Sequence, residues 1–143
     1  MRFFTQDAKR EALKRAPLFE DLSRKELTEL ARLTDDMDAP AGTVLCQEGR
    51  VGREFFVIME GKVEVTQRGK RIGSLGSGDF LGEIALIEDS PRTATVTAKT
   101  PLRFFVMTRQ GFQKVLDSNP GVERKVLRAL ARRLASSSSD VSL

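Results

Sequence analysis

The chain has 143 residues, of which 40% are hydrophobic and 31% are charged, and this length and composition predict one folded domain with a single core. It contains no histidine and one cysteine, Cys46, which excludes an intrachain disulfide and every metal site or catalytic pair that depends on histidine. The formal net charge of +4 could attract the phosphate backbone of a nucleic acid, but such an attraction does not depend on the base sequence.

Residues 1–36 are predicted to form an N-terminal helical segment. The stretch DAKREALKRA favours one short helix, and Ser23 with Glu26 three residues later forms a capping box at the start of a second helix. The first residues lack the apolar run of a signal peptide, and no later run approaches the roughly 20 apolar residues of a membrane span. We therefore expect a cytoplasmic protein without a membrane span.

Residues 37–108 are predicted to form the β part of the domain. Short runs rich in Val, Ile, Phe and Thr are separated by glycines, and the stretch VEVTQRGKRIGSL is typical of a hairpin that turns at RGK. Cys46 lies in one of these runs and is expected to pack as a small hydrophobic residue. Short strands at this spacing predict an antiparallel jelly roll (a double-stranded β-helix), so the predicted fold class is mainly β with flanking helices.

Residues 109–135 return to a helical pattern. Thr108 can cap a first helix, and Asn119 followed by Pro120 ends it. The last helix carries an apolar stripe that could belong to the core or pair with a second copy as a homodimer. The stripe consists of Val122, Val126, Leu130 and Leu134, with Leu127 beside it. Residues 136–143, SSSSDVSL, are predicted to be a flexible tail.

The stretch FLGEIALIEDSPRTATV, residues 80–96, interrupts the strands and contains an acid, Glu83, and an arginine, Arg92. Gly82 begins a single predicted helical turn, whose unpaired NH groups favour an anion. A guanidinium can bind two phosphate oxygens, whereas a carboxylate only accepts hydrogen bonds and suits sugar hydroxyls. These residues therefore indicate a pocket for a ribose and a phosphate. The alternative is a surface ion pair worth less than about 1 kcal/mol beside a glycine turn.

Three stretches resemble the cyclic nucleotide-binding domain family, which includes bacterial catabolite activator proteins, cyclic nucleotide-gated channels and cyclic nucleotide-dependent kinases. GEIALIEDSPRTATV is similar to the family's phosphate-binding cassette, GTVLCQEGRVGREFFVIMEGKVEV to its first strands, and APLFEDLSRKELTELA to its N-terminal helices. The similarity extends over residues 16–134. We call residues 80–96 the cassette.

The resemblance implies a cyclic nucleotide as ligand. Glu83 and the carbonyl of Gly82 would bind the ribose 2′-hydroxyl, and Arg92 would bind the exocyclic phosphate oxygens. The other implied ligand-binding residues contribute backbone NH groups, a hydroxyl, or apolar side chains that face the barrel interior or the ligand. They are Ala85 and Ala94 for the NH groups, Thr93 for the hydroxyl, and Ile84 and Leu86 for the apolar side chains.

In this family the last helix closes over the pocket as a lid. The chain has no Trp and no Tyr, so the resemblance implies that aliphatic side chains or a guanidinium contact the base. A hydroxyl at the position of Thr93 can also bond guanine, so Thr93 leaves cGMP open, although we expect cAMP. The lid candidates are Leu127, Leu130, Arg133 and Leu134, with core or dimer packing as the alternative for the leucines and a solvated surface for the arginine.

The resemblance implies a regulatory sensor without catalytic activity, metal or cofactor. A cyclic nucleotide would favour the closed lid, and this shift would act on a partner protein or a fused effector. Arg50 and Arg53 depart from the family, because many members carry acids in this loop. No helix-turn-helix fits after the last helix, so we expect no sequence-specific nucleic-acid partner.

Two other functions stay open at this point. A degenerate barrel could bind no nucleotide and serve as an interaction or dimerisation module. A small enzyme on a cupin-like barrel would need a metal site built from carboxylates alone, because the chain has no histidine.

Overall fold

The computed structural model describes residues 3–137, in which four α-helices lie at the two ends of the chain. Ser23 forms the predicted capping box with Glu26, and Thr108 caps the third helix as predicted, because each hydroxyl accepts a hydrogen bond from an NH group of the first turn. The helices are α1 (Gln6–Lys14), α2 (Arg24–Arg32), α3 (Arg109–Ser118) and α4 (Pro120–Ser137), and two short 3₁₀ turns are Pro17–Phe19 and Glu83–Leu86.

Between the helices, eight strands form two antiparallel sheets, which confirms the predicted jelly roll. The strands are β1 (Asp35–Ala39), β2 (Val44–Cys46), β3 (Glu54–Glu60), β4 (Val63–Gln67), β5 (Lys70–Leu75), β6 (Phe80–Leu81), β7 (Thr95–Ala98) and β8 (Leu102–Thr108). The first sheet has the order β1-β8-β3-β6 and the second has the order β2-β7-β4-β5. The sequence pattern does not predict β1, because its residues DDMDA lack an apolar alternation.

The hairpin between β4 and β5 turns where the sequence predicts it. Gln67 pairs with Lys70, so Arg68 and Gly69 form a two-residue turn. Both have positive φ, 53° for Arg68 and 77° for Gly69, which matches the twist of an antiparallel ribbon. The turn directs the tip of the hairpin toward the cassette, where the Gln67 side chain donates a 2.9 Å hydrogen bond to the carbonyl of Thr93.

The two central strands of the first sheet, β3 and β8, are buried on both faces. On β3, Phe55 and Val57 pack in a cluster with the helices, which we call the helix-side cluster. Phe56 and Ile58 pack between the two sheets. Strand β8 alternates in the same way between the two clusters. Successive side chains of a strand point to opposite faces, so burial of both faces explains why FFVIM and FFVM are continuous apolar runs.

Helix α4 packs its first half into the helix-side cluster. Val122 and Val126 are buried there, and Leu130 packs against this cluster. Leu134, predicted on the same stripe, is 68% exposed, because residues 131–135 extend past this core.

The C-terminal boundary differs from the sequence prediction. Helix α4 includes the first two residues of the predicted flexible tail, and the rest of that tail, residues 138–143, lies outside the described residues. Within residues 3–137, no helix combines the length and the apolar character that a membrane span requires.

A buried ion pair joins α1 to the first sheet. The Lys9 ammonium contacts the Asp36 carboxylate of β1, and the two side chains are 2% and 0% exposed. Asp36 also accepts hydrogen bonds from the backbone NH groups of Phe3, at 2.6 Å, and Phe4, at 3.1 Å. Burial alone would raise the pKa of Asp36, but Lys9 and these two NH groups outweigh burial and hold it below its ordinary value of 3.8.

Lys9→Met is expected to lower the free energy of unfolding by about 3–5 kcal/mol at pH 7, because it leaves a buried carboxylate without its cation. Since the pKa of Asp36 is depressed in the folded protein, the pair stabilises the fold above pH 3.8 and loses this effect as the pH falls further. The difference between variant and wild type should therefore shrink in urea titrations at acidic pH. Lys14→Met, which changes an exposed lysine of the same helix, is the control, and an equal loss in both variants would contradict the prediction.

Candidate ligand-binding site

The cassette is held against β3 by its first residues. Strand β6 pairs with β3, with Leu81 opposite Phe56. Gly82 then has a φ of +84°, and a Cβ atom there would lie 2.6 Å from the carbonyl oxygen of Glu54. Only glycine combines this backbone conformation with so close an approach. The predicted helical turn follows as the 3₁₀ turn Glu83–Leu86.

The far end of the 3₁₀ turn is held by an arginine that sequence reasoning did not identify. Arg109, the first residue of α3, donates a 2.8 Å hydrogen bond from Nε to the carbonyl of Ala85 and pairs with Asp89. Arg53 also pairs with Asp89, at 3.2 Å, and the hydrogen bonds from the two arginines hold the pKa of Asp89 below its ordinary value. The basic loop noted in the sequence is therefore partly neutralised by an acid of the cassette.

A pocket of about 460 Å³ lies between the cassette and the second sheet. Its apolar wall includes Cys46, Val65, Leu75 and Val96. Seven of the eight residues predicted from the resemblance line it: Gly82, Glu83, Ile84, Ala85, Arg92, Thr93 and Ala94. The eighth, Leu86, is 2% exposed and packs in the helix-side cluster, which places it on the opposite side of the turn from the pocket.

Arg92 is held by a backbone carbonyl at the start of β3. Its side chain is 11% exposed, and Nη2 donates a 2.8 Å hydrogen bond to the carbonyl of Glu54 and lies 3.9 Å from the Glu54 carboxylate. A Cβ atom at Gly52 would lie 2.1 Å from Arg92 Nε, and one at Gly82 would lie 2.4 Å from Nη1. The two glycines therefore leave the space that the guanidinium occupies. From the sequence, Gly52 is predicted only as a break between strands.

Glu83 is the second buried charged residue of the pocket. Its side chain is 8% exposed, and Oε1 accepts a hydrogen bond from Arg133 of α4. The other oxygen, Oε2, is buried and has no hydrogen-bond donor among the described residues. Buried carboxylate oxygens are normally paired, so this oxygen has the capacity to accept a bond from a ligand.

Glu83 and Arg92 do not form the surface ion pair considered as the alternative. Both side chains are mostly buried, and within the described part of the chain Glu83 pairs with Arg133 while Arg92 is bonded to the Glu54 carbonyl. The two charged groups thus line one pocket with separate protein partners.

The NH group of Ala85 is one of the groups predicted to bind a phosphate. The NH of Ala85 donates a 3.0 Å hydrogen bond to the carbonyl of Gly82 as part of the 3₁₀ turn, so this NH is already used, whereas the carbonyl oxygen keeps a second lone pair. Thr93 lies exposed at the rim of the pocket, with its carbonyl held by Gln67.

The four lid candidates have different environments. Leu130 packs against the helix-side cluster, whereas Leu127 is 59% exposed and Leu134 is 68% exposed. Arg133 contacts Glu83. The residues that line the pocket, as far as the structure describes the chain, come from positions 46–96, so α4 does not form one of its walls.

Cys46, the one cysteine of the chain, lines the pocket. Burial raises the pKa of the Cys46 thiol, so this side chain is not a nucleophilic thiolate near neutral pH. Over residues 3–137, no group of three or more acidic, cysteine or histidine side chains is arranged to hold a metal ion. The pocket is instead suited to bind an anion beside a hydroxyl-bearing group.

Comparisons with known proteins agree with this chemistry. The family model described as cyclic nucleotide-binding domain matches residues 37–119. The chain is 39% identical to a cAMP-dependent protein kinase regulatory subunit of Yarrowia lipolytica, over 73% of this chain and 28% of that protein. It is 38% identical to a cyclic nucleotide-gated potassium channel of Rhizobium etli, over 82% of this chain and 33% of the channel. The chain thus spans about a third or less of these curated relatives.

A solved structure covers nearly the whole chain. It is the N-terminal domain of a transcriptional regulator from Streptomyces coelicolor, which matches with a TM-score of 0.84 and 31% identity. The match covers 92% of this chain and 96% of that domain, so the similarity includes the flanking helices as well as the two sheets.

Gly52→Ala is expected to displace the guanidinium of Arg92, because the new methyl group would overlap it while the flexible end of the arginine can move. The Nε–Hε resonance of Arg92 in a ¹⁵N–¹H spectrum should shift. Gly73→Ala is the matched control, since a Cβ atom there meets nothing within 4 Å. An unchanged Arg92 resonance in Gly52→Ala would show that the guanidinium does not need the space at Gly52.

Proposed function

This chain belongs to the cyclic nucleotide-binding domain family, and from that premise we propose that its pocket binds a cyclic nucleotide, with cAMP preferred over cGMP. Occupancy would regulate a partner protein or a fused effector. The observation that carries the proposal is that one pocket contains both a mostly buried guanidinium, Arg92, and a buried carboxylate, Glu83, that has an open acceptor oxygen.

Arg92 would bind the phosphate. A guanidinium has five NH donors, and the hydrogen bond to the Glu54 carbonyl uses Nη2. The Glu54 carboxylate is 3.9 Å from Nη2, beyond hydrogen-bond range, so the positive charge of Arg92 is only weakly compensated by the protein. A cyclic phosphate carries one negative charge and two free oxygens, which suits the donors that remain.

Glu83 would bind the ribose. A carboxylate cannot donate a hydrogen bond and repels a phosphate, so its partner in the ligand must be a donor such as the 2′-hydroxyl. Oε2 of Glu83 has no donor from the described residues, and a ribose hydroxyl would supply one. The apolar wall around Val65 and Val96 would then contact the uncharged parts of the nucleotide.

Thr93 bears on the identity of the base. It lies at the exposed rim of the pocket, where its hydroxyl could reach the amino group of a guanine. The name of the Yarrowia relative, a cAMP-dependent kinase subunit, supports cAMP as the preferred ligand.

Regulation would follow from movement of α4. The described part of this helix forms no wall of the pocket, so contact of Leu127 or Leu134 with the base requires the helix to shift toward it. A ligand that contacts α4 only in the closed position would favour that position by its difference in affinity.

The output would depend on other protein segments, and the chain itself would act without catalysis. The two curated relatives are larger proteins, a kinase regulatory subunit and a channel, which supports a role as a regulatory module in the cytoplasm. Val122 and Val126 of the apolar stripe pack inside the domain, so a homodimer formed through α4 would have to use its outer side around Leu127.

Arg92→Ala is expected to weaken cAMP binding tenfold or more, because a charge-assisted hydrogen bond contributes about 1.5–3 kcal/mol. Arg53→Ala should change affinity far less, since Arg53 does not line the pocket and Arg109 still holds Asp89. Calorimetric titration measures both variants. Equal losses would reject the site, and the absence of heat from the wild type at millimolar cAMP and cGMP would favour the ligand-free interaction module.

Thr93→Ala is expected to lower the ratio of cGMP affinity to cAMP affinity severalfold, the effect of one neutral hydrogen bond worth about 0.5–1.5 kcal/mol. Competition titrations with the two nucleotides give this ratio directly. Thr97→Ala, a change outside the pocket, should leave it at the wild-type value. An unchanged ratio in Thr93→Ala would remove the role of the hydroxyl in choosing the base.

A further inference from the structure

Helix α4 contacts the pocket through the ion pair between Arg133 and Glu83. The Arg133 side chain is 46% exposed, whereas the Glu83 side chain is 8% exposed. An isolated carboxylate with so little contact with water would be unfavourable, and Arg133 supplies the compensating charge. This contact joins the C-terminal part of α4 to the first residue of the 3₁₀ turn.

The two carboxylate oxygens of Glu83 differ in their hydrogen bonds. Arg133 donates to Oε1, and Oε2 has no donor among the residues that the structure describes. A carboxylate can accept bonds at both oxygens, so a ligand hydroxyl on Oε2 does not have to displace Arg133. Because the carboxylate is planar and rigid, a bond that holds Oε1 also sets the direction of Oε2.

Arg133 is itself held in place by the attachment of α4 to the N-terminal helices. The adjacent Arg132 pairs with Glu20, at 2.9 Å, and with Asp21. One face of the helix is thus bonded to the turn after Phe19, while Arg133 reaches the cassette. Lys125 adds a 2.7 Å contact to Glu26 of α2. The position of the Arg133 backbone therefore does not depend on Glu83 alone.

We infer that Arg133 is a positioning residue of the ribose subsite, which holds Glu83 Oε1 so that Oε2 accepts the 2′-hydroxyl of the nucleotide. This inference rests on the proposed function. It differs from the role expected for Arg133 as a lid residue, in which the guanidinium stacks on the base. The two roles predict different responses to removal of the 2′-hydroxyl from the ligand.

The test compares the affinities of cAMP and 2′-deoxy-cAMP, whose ratio reports the bond between Glu83 and the hydroxyl. The wild type should prefer cAMP by about tenfold or more, the effect of a hydrogen bond to a charged group. Arg133→Gln should reduce this preference to less than about threefold, since Glu83 is no longer oriented. Arg133→Lys keeps the charge and should restore part of the preference.

Controls separate positioning from a general effect on the fold. Arg128→Gln changes an exposed arginine earlier in the same helix and should keep the wild-type preference for cAMP. Thermal unfolding of each variant reports whether it is folded. Arg133→Met, with a shorter unbranched side chain and no charge, provides the same comparison if Arg133→Gln does not fold.

Failure of this inference can be told apart from failure of the proposed function. If the wild type binds neither nucleotide, the proposed function fails. If Glu83→Gln abolishes the preference for cAMP but both neutral Arg133 variants retain it, the ribose subsite stands and the role of Arg133 is wrong. Equal weakening of both ligands in the Arg133 variants would also overturn the inference, because stacking on the base or a purely structural role predicts that result.

Discussion

Burial of β3 on both of its faces is the constraint on which the rest of the structure depends. Phe55 and Val57 are fully buried on the side of the helices, and Phe56 and Ile58 are buried between the sheets. A strand in this position has little freedom to move, because interiors are packed at high density. The cassette pairs with this strand through β6, and the carbonyl of Glu54 at its start accepts the bond from Arg92. The candidate site is therefore built on a strand that is packed on both faces.

The two charged groups of the pocket are stabilised by the protein in a way that leaves capacity for a ligand. Arg92 is bonded to a neutral carbonyl and lies 3.9 Å from the Glu54 carboxylate, so its charge is only weakly compensated, and Glu83 has one oxygen paired and one without a described donor. Fully satisfied groups would gain little from a ligand, and wholly unpaired groups would destabilise the fold. Arg92 and Glu83 are each only partly satisfied by protein partners. This distinguishes the pocket from an ordinary buried ion pair such as Lys9 with Asp36.

Ion pairs connect the site with the helices at both ends of the chain. Arg109 of α3 holds the far end of the 3₁₀ turn, and Arg133 of α4 holds its first residue. Arg132 then joins α4 to the turn after Phe19. The cassette thus has direct contacts with the helical part of the domain.

Local patterns in the sequence determined the elements whose signals lie within a few residues. Ser23 with Glu26 predicts a helix start, RGK between alternating strands predicts a hairpin, and the order of glycine, acid, proline and arginine from Gly82 to Arg92 predicts the cassette. The helix start and the hairpin are confirmed, because capping and tight turns depend on neighbouring residues. Only the tertiary structure decided that Gly52 makes room for Arg92, that Leu86 packs away from the pocket, and that Arg133 reaches Glu83. Each of these depends on how distant segments pack, and no spacing along a single sequence specifies which buried charge a distant side chain will meet.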